Sequence, residues 1–168
     1  MRFLHLSDLH LGKRVNEFSM LEDQRYILKE ILRIIDEERP DAVLISGDVY
    51  DKAVPSAEAV LVLDEFLCRL AQRKLPVLMI SGNHDSAERV AFGAHLLAGS
   101  QVYVSPVFEG APAPIPLTDA YGPVDIYLLP FLKPAMVRPI YPDEPIESYS
   151  DALGCVLRRC ALDPARRS

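Results

Sequence analysis

The residues best able to do chemistry follow three apolar runs: Asp8 and His10 the first, Asp48 the second, Asn83 and His84 the third. Because the carboxyl ends of parallel strands lie along one edge of a sheet, these groups are expected to converge there. Asp8 and His10 are two residues apart, so in an extended segment both side chains point to one side and can bind one ion. The pattern predicts a metal site.

The proposed ligands combine carboxylate, amide and imidazole groups, a mixed set that suits Mn²⁺ first, with Mg²⁺ or Fe²⁺ as alternatives. Two ions roughly 3.5–4 Å apart could share the Asp48 carboxylate, provide an attacking hydroxide and stabilise phosphate oxygens. Gly47 and Gly82 fit this interpretation, because a missing side chain lets the backbone turn sharply near the ions. His84 would then be free to donate a proton.

Four nearby acidic and histidine residues have less certain roles in the sequence. Asp51 and Asp85 either orient a histidine or ligand from behind the metal, or make only local turn hydrogen bonds, and both interpretations stay open. His5 lies in an apolar strand and His95 on an apolar helix. Both are therefore predicted to be hydrogen-bonded core histidines without a functional role.

Strands and helices alternate over the first hundred residues. The apolar patterns predict strands at 2–7, 41–46 and 76–81 and helices at 20–38, 55–72 and 86–97. This alternation predicts an α/β fold with a largely parallel sheet and helices on its faces.

The pattern changes after Gly99. Shorter strands are predicted at 102–104, 115–117 and 125–129, and the proline-rich stretch 106–116 is interpreted as a hairpin region. A last helix is predicted at 148–162. No repeat or low-complexity tract is present, so one domain is expected.

Composition limits the class of protein. The hydrophobic fraction of 49% is enough for a buried core. No apolar run approaches a membrane span of about 18 residues and no signal peptide is evident, so the cytoplasm is expected. The three cysteines form no CxxC pair, and Cys68 is predicted to pack in the core. The net charge of −6 argues against binding nucleic acid by a basic surface alone, although bound cations can meet phosphates.

Taken together, the three motifs are similar in order and spacing to the signature of calcineurin-like metallophosphoesterases: Asp8-x-His10, Gly47-Asp48-x-x-Asp51 and Gly82-Asn83-His84-Asp85. Longer segments, residues 3–13, 45–56 and 128–138, resemble the SbcD-type nucleases of the Mre11 family. The resemblance implies a layered α/β/β/α sandwich. It also implies Mn²⁺-dependent exonuclease action on double-stranded DNA and endonuclease action on single strands and hairpins.

Carried onto this sequence, the resemblance makes Asp8, His10 and Asp48 ligands of one ion, and Asp48 and Asn83 ligands of the other. Asp48 bridges the two ions, and His84 becomes the catalytic histidine. The implied partners are DNA and an SbcC-type coiled-coil ATPase, in DNA repair, replication and recombination.

The sequence departs from the family pattern in two places. Asp51 stands where many Mre11 relatives carry a histidine. The family's later lone histidine and Gly-His-x-His block are absent, since no histidine follows His95. Residues 1–168 are therefore expected to be the N-terminal part of a metallophosphoesterase domain, with the remaining ligands, the capping domain and the ATPase-binding segment beyond Ser168.

An incomplete domain has consequences of its own. Weak metal binding and little or no nuclease activity are expected for this chain alone, because metal sites normally need three or four protein ligands. An exposed sheet edge would favour self-association, such as a homodimer.

Two other functions stay open. One is a phosphoesterase of the same class acting on a small phosphodiester or a phosphoprotein. The other is a non-catalytic interaction module on the same scaffold. Lys13 and Arg14 favour DNA if they meet a phosphate backbone, although they could also form a solvated loop.

Overall fold

A computed structural model describes residues 1–168. The main sheet and its helices comprise β1 (Phe3–Leu6), α1 (Leu21–Glu38), β4 (Ala42–Ser46), α2 (Ala57–Gln72), β5 (Val77–Ile80), α3 (Ala87–Val90), α4 (Ala94–Ala98) and β6 (Val102–Val104). The other elements are β2 (Arg14–Val15), β3 (Phe18–Ser19), β7 (Ile115–Asp119), β8 (Gly122–Ile126), α5 (Pro134–Val137) and α6 (Tyr149–Leu157).

The central sheet has the order β1-β4-β5-β6, and every neighbouring pair is parallel. This confirms the predicted α/β fold with a parallel sheet. Leu6 pairs with Ile45 and Ile45 pairs with Met79, so the first three strands end in step. The segments that follow them therefore start from the same edge of the sheet.

Helices α1 and α2 pack on one face of the sheet and enclose the main core. Leu28, Leu32 and Ile35 of α1 are buried at helical spacing, and Phe66 of α2 is among the largest fully buried side chains. They join one cluster with the inward-facing residues of the strands, which include Ile45. Removal of this apolar surface from water is the main stabilising contribution to the fold.

The opposite face is covered in part by the antiparallel hairpin β7–β8. Leu78 of the sheet and Leu128 after the hairpin are buried together, and Ile115 and Leu117 pack against them. The layers therefore run helix, parallel sheet, hairpin. Helices α5 and α6 pack on each other around a separate cluster that contains Val137.

The second half differs from the sequence prediction. Residues 106–114 form no strand, and the hairpin turn lies at 119–122 instead. There Tyr121 N–H donates to the Asp119 carboxylate at 2.8 Å and Gly122 has a φ of 110°, which is the turn chemistry of Asp and Gly. The predicted helix at 86–97 is split into α3 and α4 because Gly93 adopts a left-handed φ of 75°.

Three residues predicted to lie in the core are exposed. Cys68 falls off the buried stripe of α2, and His95 lies on the outer side of the short helix α4. His5 is exposed because β1 is an edge strand with only one covered face, although its Nε2 does pair with the Ser46 hydroxyl at 2.7 Å. No helix combines the length and the apolar content that a membrane span requires.

We expect Phe66→Ala to lower the free energy of unfolding by about 3–5 kcal/mol, because it leaves a cavity at the helix–sheet interface. Leu61→Ala on the same helix is the matched control, since the Leu61 side chain is 62% exposed. The control should change stability by less than about 0.5 kcal/mol. Urea unfolding followed by circular dichroism measures both, and equal losses would contradict the assignment of the core.

Candidate metal centre

The candidate centre forms where the chain leaves β1, β4 and β5. Beyond β1, the backbone continues to pair with the segment beyond β4. His10 N–H donates to the Asp48 carbonyl oxygen and Leu11 N–H to the Val49 carbonyl oxygen, each at 2.9 Å. This pairing brings the first two motifs together in a fixed register.

Three side chains meet at this edge. His10 Nε2 lies 3.7 Å from Asp8 Oδ1 and 4.0 Å from Asp48 Oδ2. One ligand atom from each residue lies within 4.8 Å of the others. An ion about 2.0–2.2 Å from each ligand atom holds its ligands roughly 3–4 Å apart, so the group could hold a divalent metal ion. The side chains of Asp48 and His10 are 12% and 19% exposed and that of Asp8 is 65% exposed, so the site opens to solvent.

The route by which Asp8 and His10 meet was predicted wrongly. They do not lie in an extended segment, because their φ angles are 56° and 42°, and Asp48 has a φ of 48°. All three residues are left-handed, a conformation uncommon for residues with a side chain but several-fold enriched for Asp and His. Such conformations cost roughly 1–3 kcal/mol each and persist where the surrounding structure imposes them. The folded chain therefore imposes the direction of each potential ligand.

Two glycines make room for Asp48. Gly47 has a φ of 82°, and a Cβ placed there would lie 2.7 Å from Gly82 Cα. A Cβ at Gly82 would overlap the Asp48 carboxylate and its backbone nitrogen. The loops after β4 and β5 can approach this closely only because both positions lack a side chain.

The third motif joins the centre mainly through its backbone. His84 N–H donates to Asp48 Oδ1 at 2.9 Å, and Asn83 occupies the exposed position between Gly82 and His84. The His84 ring stacks edge-on against His10 with ring centroids 4.9 Å apart. His84 Nδ1 lies 3.4 Å from the Asp51 carbonyl oxygen. Because a carbonyl oxygen only accepts, Nδ1 carries a proton in this contact and Nε2 stays available.

One buried nitrogen supports the fit of a metal ion. His10 Nδ1 is buried without a hydrogen-bond partner, and Asp51 Oδ1 lies 3.7 Å away. Leaving a buried donor unpaired costs about 1–3 kcal/mol. Histidines that bind a metal through one nitrogen usually donate from the other to a carboxylate, an arrangement that a small shift of Asp51 would complete. The residues present therefore fit a divalent ion held by His10 Nε2.

Asp85 contacts main chain and no histidine. Its carboxylate accepts hydrogen bonds from the N–H groups of Val49 at 3.1 Å, Tyr50 at 2.9 Å and Gly82 at 2.8 Å. Only the bond from Gly82 is local, so a local turn describes only part of its role. Burial raises the pKa of Tyr50 to about 12, with a contribution from the negative charge of Asp85, so this phenol stays protonated at neutral pH.

Comparison with known proteins gives this geometry a family. Residues 1–137 match the profile of the calcineurin-like phosphoesterases, and the match includes every residue of the centre described above. This chain belongs to the calcineurin-like phosphoesterase family.

The phosphoesterase is also similar to the SbcD component of the nuclease SbcCD of Staphylococcus epidermidis (strain ATCC 12228 / FDA PCI 1200). The two are 38% identical over 154 residues, which make up 91% of this chain and 40% of that protein. The chain thus spans about 40% of the length of the curated relative that it matches.

Gln24 is a residue of this phosphoesterase site that the sequence did not reveal. Its side-chain amide donates to the carbonyl oxygens of Leu9 at 3.1 Å and His10 at 2.7 Å, and its oxygen accepts from Gly12 N–H at 3.0 Å. It therefore fastens the His10 loop to helix α1. The only signal was a glutamine in the first turn of an amphipathic helix, which a solvent-facing position explains equally well.

Basic residues flank the phosphoesterase centre. An open cavity of about 480 Å³ borders Asp51, and Arg14, Lys52 and Ser56 contribute to its lining. Arg14 also donates to the Glu17 carbonyl oxygen. Positive charge beside a metal centre in an acidic protein is suited to the phosphates that flank a scissile bond.

We expect Gly82→Ala to weaken Mn²⁺ binding by roughly tenfold or more, because the added methyl group displaces the Asp48 carboxylate. Gly99→Ala is the control, since a Cβ at Gly99 meets its nearest atom at an ordinary 3.4 Å. Isothermal titration calorimetry with Mn²⁺ compares the two variants with the parent. An unchanged affinity in Gly82→Ala would contradict the close approach of the two loops.

Proposed function

We propose that this chain carries the metal-binding part of a DNA nuclease that acts with divalent metal ions. The observation that carries the proposal is the 38% identity to a protein named as part of a nuclease, over 91% of the chain. Membership of the calcineurin-like phosphoesterases supports phosphoester hydrolysis as the reaction class. The open position of Asp8 is compatible with a substrate as large as DNA.

The proposed ligand sets follow from the donors at the sheet edge. Asp8, His10 and Asp48 would hold one ion, and Asp48 and Asn83 would hold a second, with Asp48 between them. Oxygen donors with a single imidazole favour Mn²⁺, with Mg²⁺ or Fe²⁺ as alternatives. When bound, such ions supply an activated water and neutralise charge on the phosphate.

His84 is proposed as the catalytic residue. Its Nδ1 faces the Asp51 carbonyl oxygen, which leaves Nε2 to approach a substrate oxygen. A protonated His84 would give its proton to the leaving oxygen, or donate a hydrogen bond to the charged phosphate oxygens. Asp51 and Asp85 would act behind the ligands, Asp51 beside His10 and Asp85 on the backbone.

The partners of the whole protein are part of the same proposal. They are DNA, cut as double-strand ends by exonuclease action and as single strands or hairpins by endonuclease action, and an SbcC-type coiled-coil ATPase. The processes would be DNA repair, replication and recombination, in the cytoplasm. A homodimer is proposed as well. Weak metal binding and low activity of this chain alone remain predictions.

The proposal is tested by Mn²⁺ titration calorimetry and a DNA hairpin cleavage assay. Both are run on this chain and on a version extended through a Gly-His-x-His block. We expect the extended chain to bind two ions tightly and to cut the hairpin. If it binds two ions and ignores DNA while it hydrolyses a small phosphodiester, the nuclease proposal is wrong and a phosphoesterase for small substrates replaces it.

We expect His84→Gln in the extended chain to slow hairpin cleavage by roughly 10²–10⁴-fold, because a general acid contributes about that much. Its Mn²⁺ affinity should stay close to that of the parent. His95→Gln is the control, since His95 is exposed and lies on α4 outside the centre. Cleavage rates at saturating Mn²⁺ measure the effect, and equal rates in the two variants would exclude His84 as the acid.

A further inference from the structure

The loops after β4 and β5 exchange carboxylates. Asp85, on the second loop, accepts N–H hydrogen bonds from Val49 and Tyr50 on the first. Asp48, on the first loop, accepts a hydrogen bond from His84 N–H on the second. Each loop thus supplies the acceptor that satisfies the backbone of the other.

The two carboxylates differ in what they leave free. Both oxygens of Asp85 are used by backbone donors, with Val49 and Gly82 sharing Oδ2 and Tyr50 on Oδ1. In Asp48, Oδ1 accepts from His84 N–H while Oδ2 points to His10 Nε2 at 4.0 Å. Asp85 is therefore committed to the backbone, whereas Asp48 keeps one oxygen for a ligand.

The bonds to Asp85 act beside a strained residue. Asp48 has a φ of 48°, and the N–H groups that Asp85 holds belong to the two residues that follow it. A left-handed aspartate gains by relaxing unless its neighbours are fixed. Hydrogen bonds from backbone N–H groups to an ionised carboxylate are roughly twice as strong as neutral ones, so they are suited to this task.

We propose that Asp85 is a positioning residue: its carboxylate holds residues 49 and 50 so that Asp48 stays left-handed and keeps one oxygen directed at the metal centre. This inference deepens the proposed metal site and rests on it only for the consequence in metal affinity. The carboxylate is required because the three groups around it are all donors. An asparagine would present its own N–H₂ to one of them and leave that donor unpaired.

The test compares Asp85→Asn with Asp151→Asn on this chain. Asp151 is the matched control, because its carboxylate also accepts backbone N–H groups, from Ser148 at 2.8 Å and Glu147 at 3.1 Å, but at the start of α6. Both variants should lose some thermal stability. Only a positioning role at the centre predicts that Asp85→Asn alone changes Mn²⁺ binding.

Two readouts are measured. Amide hydrogen exchange by NMR should become at least about tenfold faster at Val49, Tyr50 and Gly82 in Asp85→Asn and stay unchanged there in Asp151→Asn. The dissociation constant for Mn²⁺ alone, from paramagnetic broadening that also detects weak binding, should rise roughly 10–100-fold in Asp85→Asn only. Asp85→Glu, which keeps both acceptor oxygens, should recover most of the affinity.

The outcomes separate the two proposals. Unchanged exchange at Val49 and Tyr50 in Asp85→Asn overturns the positioning role, whatever happens to Mn²⁺. Faster exchange with parental Mn²⁺ affinity overturns it too, because the loop would then be dispensable for the centre. If the parent and its extended form both fail to bind Mn²⁺, the proposed metal function fails, while the exchange result still decides whether Asp85 holds the loop. If Asp85→Asn does not fold, Asp85→Glu provides both readouts, and loss of exchange protection in a folded Asp85→Glu that binds Mn²⁺ normally contradicts the inference.

Discussion

The parallel register of β1, β4 and β5 is the constraint on which the candidate centre depends. Leu6, Ile45 and Met79 lie side by side, and the potential ligands follow within a few residues. A slip of one residue would move a ligand by about 3.3 Å along the strand and turn it to the other face. The ligand atoms of Asp8 and its two neighbours lie within 4.8 Å, so the centre would not survive such a slip. The helix-facing core holds the register, because Ile45 and its neighbours must stay buried.

Beyond the strand ends, the backbone departs from regular geometry and polar side chains restrain it. The three potential ligands Asp8, His10 and Asp48 all have positive φ. Side chains from elsewhere in the fold anchor their loops: Gln24 from helix α1 on one side and Asp85 from the loop after β5 on the other. These anchors are short, charged or partly buried, which makes the centre rigid although it opens to solvent.

The charge of the molecule is compatible with a phosphate substrate once the ions are included. The acidic residues at the sheet edge add to the net charge of −6, yet their purpose in a phosphoesterase is to hold cations. Arg14 and Lys52 line the cavity beside Asp51 and add positive charge where flanking phosphates would lie. Local charge at the centre and not the net charge of the chain is therefore the relevant quantity for binding.

The sequence by itself determined the alternation of strands and helices, the α/β class and the three motifs that converge. These follow from local patterns: apolar periodicity, and polar residues placed directly after apolar runs. Only the tertiary structure decided how the motifs meet. The left-handed φ of Asp8, the contact of Gly47 with Gly82, the anchoring by Gln24 and the exposure of Cys68 all depend on which loops and helices lie side by side. A local pattern carries no information about such neighbours, because hydrogen bonds between residues some 35 apart arise only when the sheet has formed.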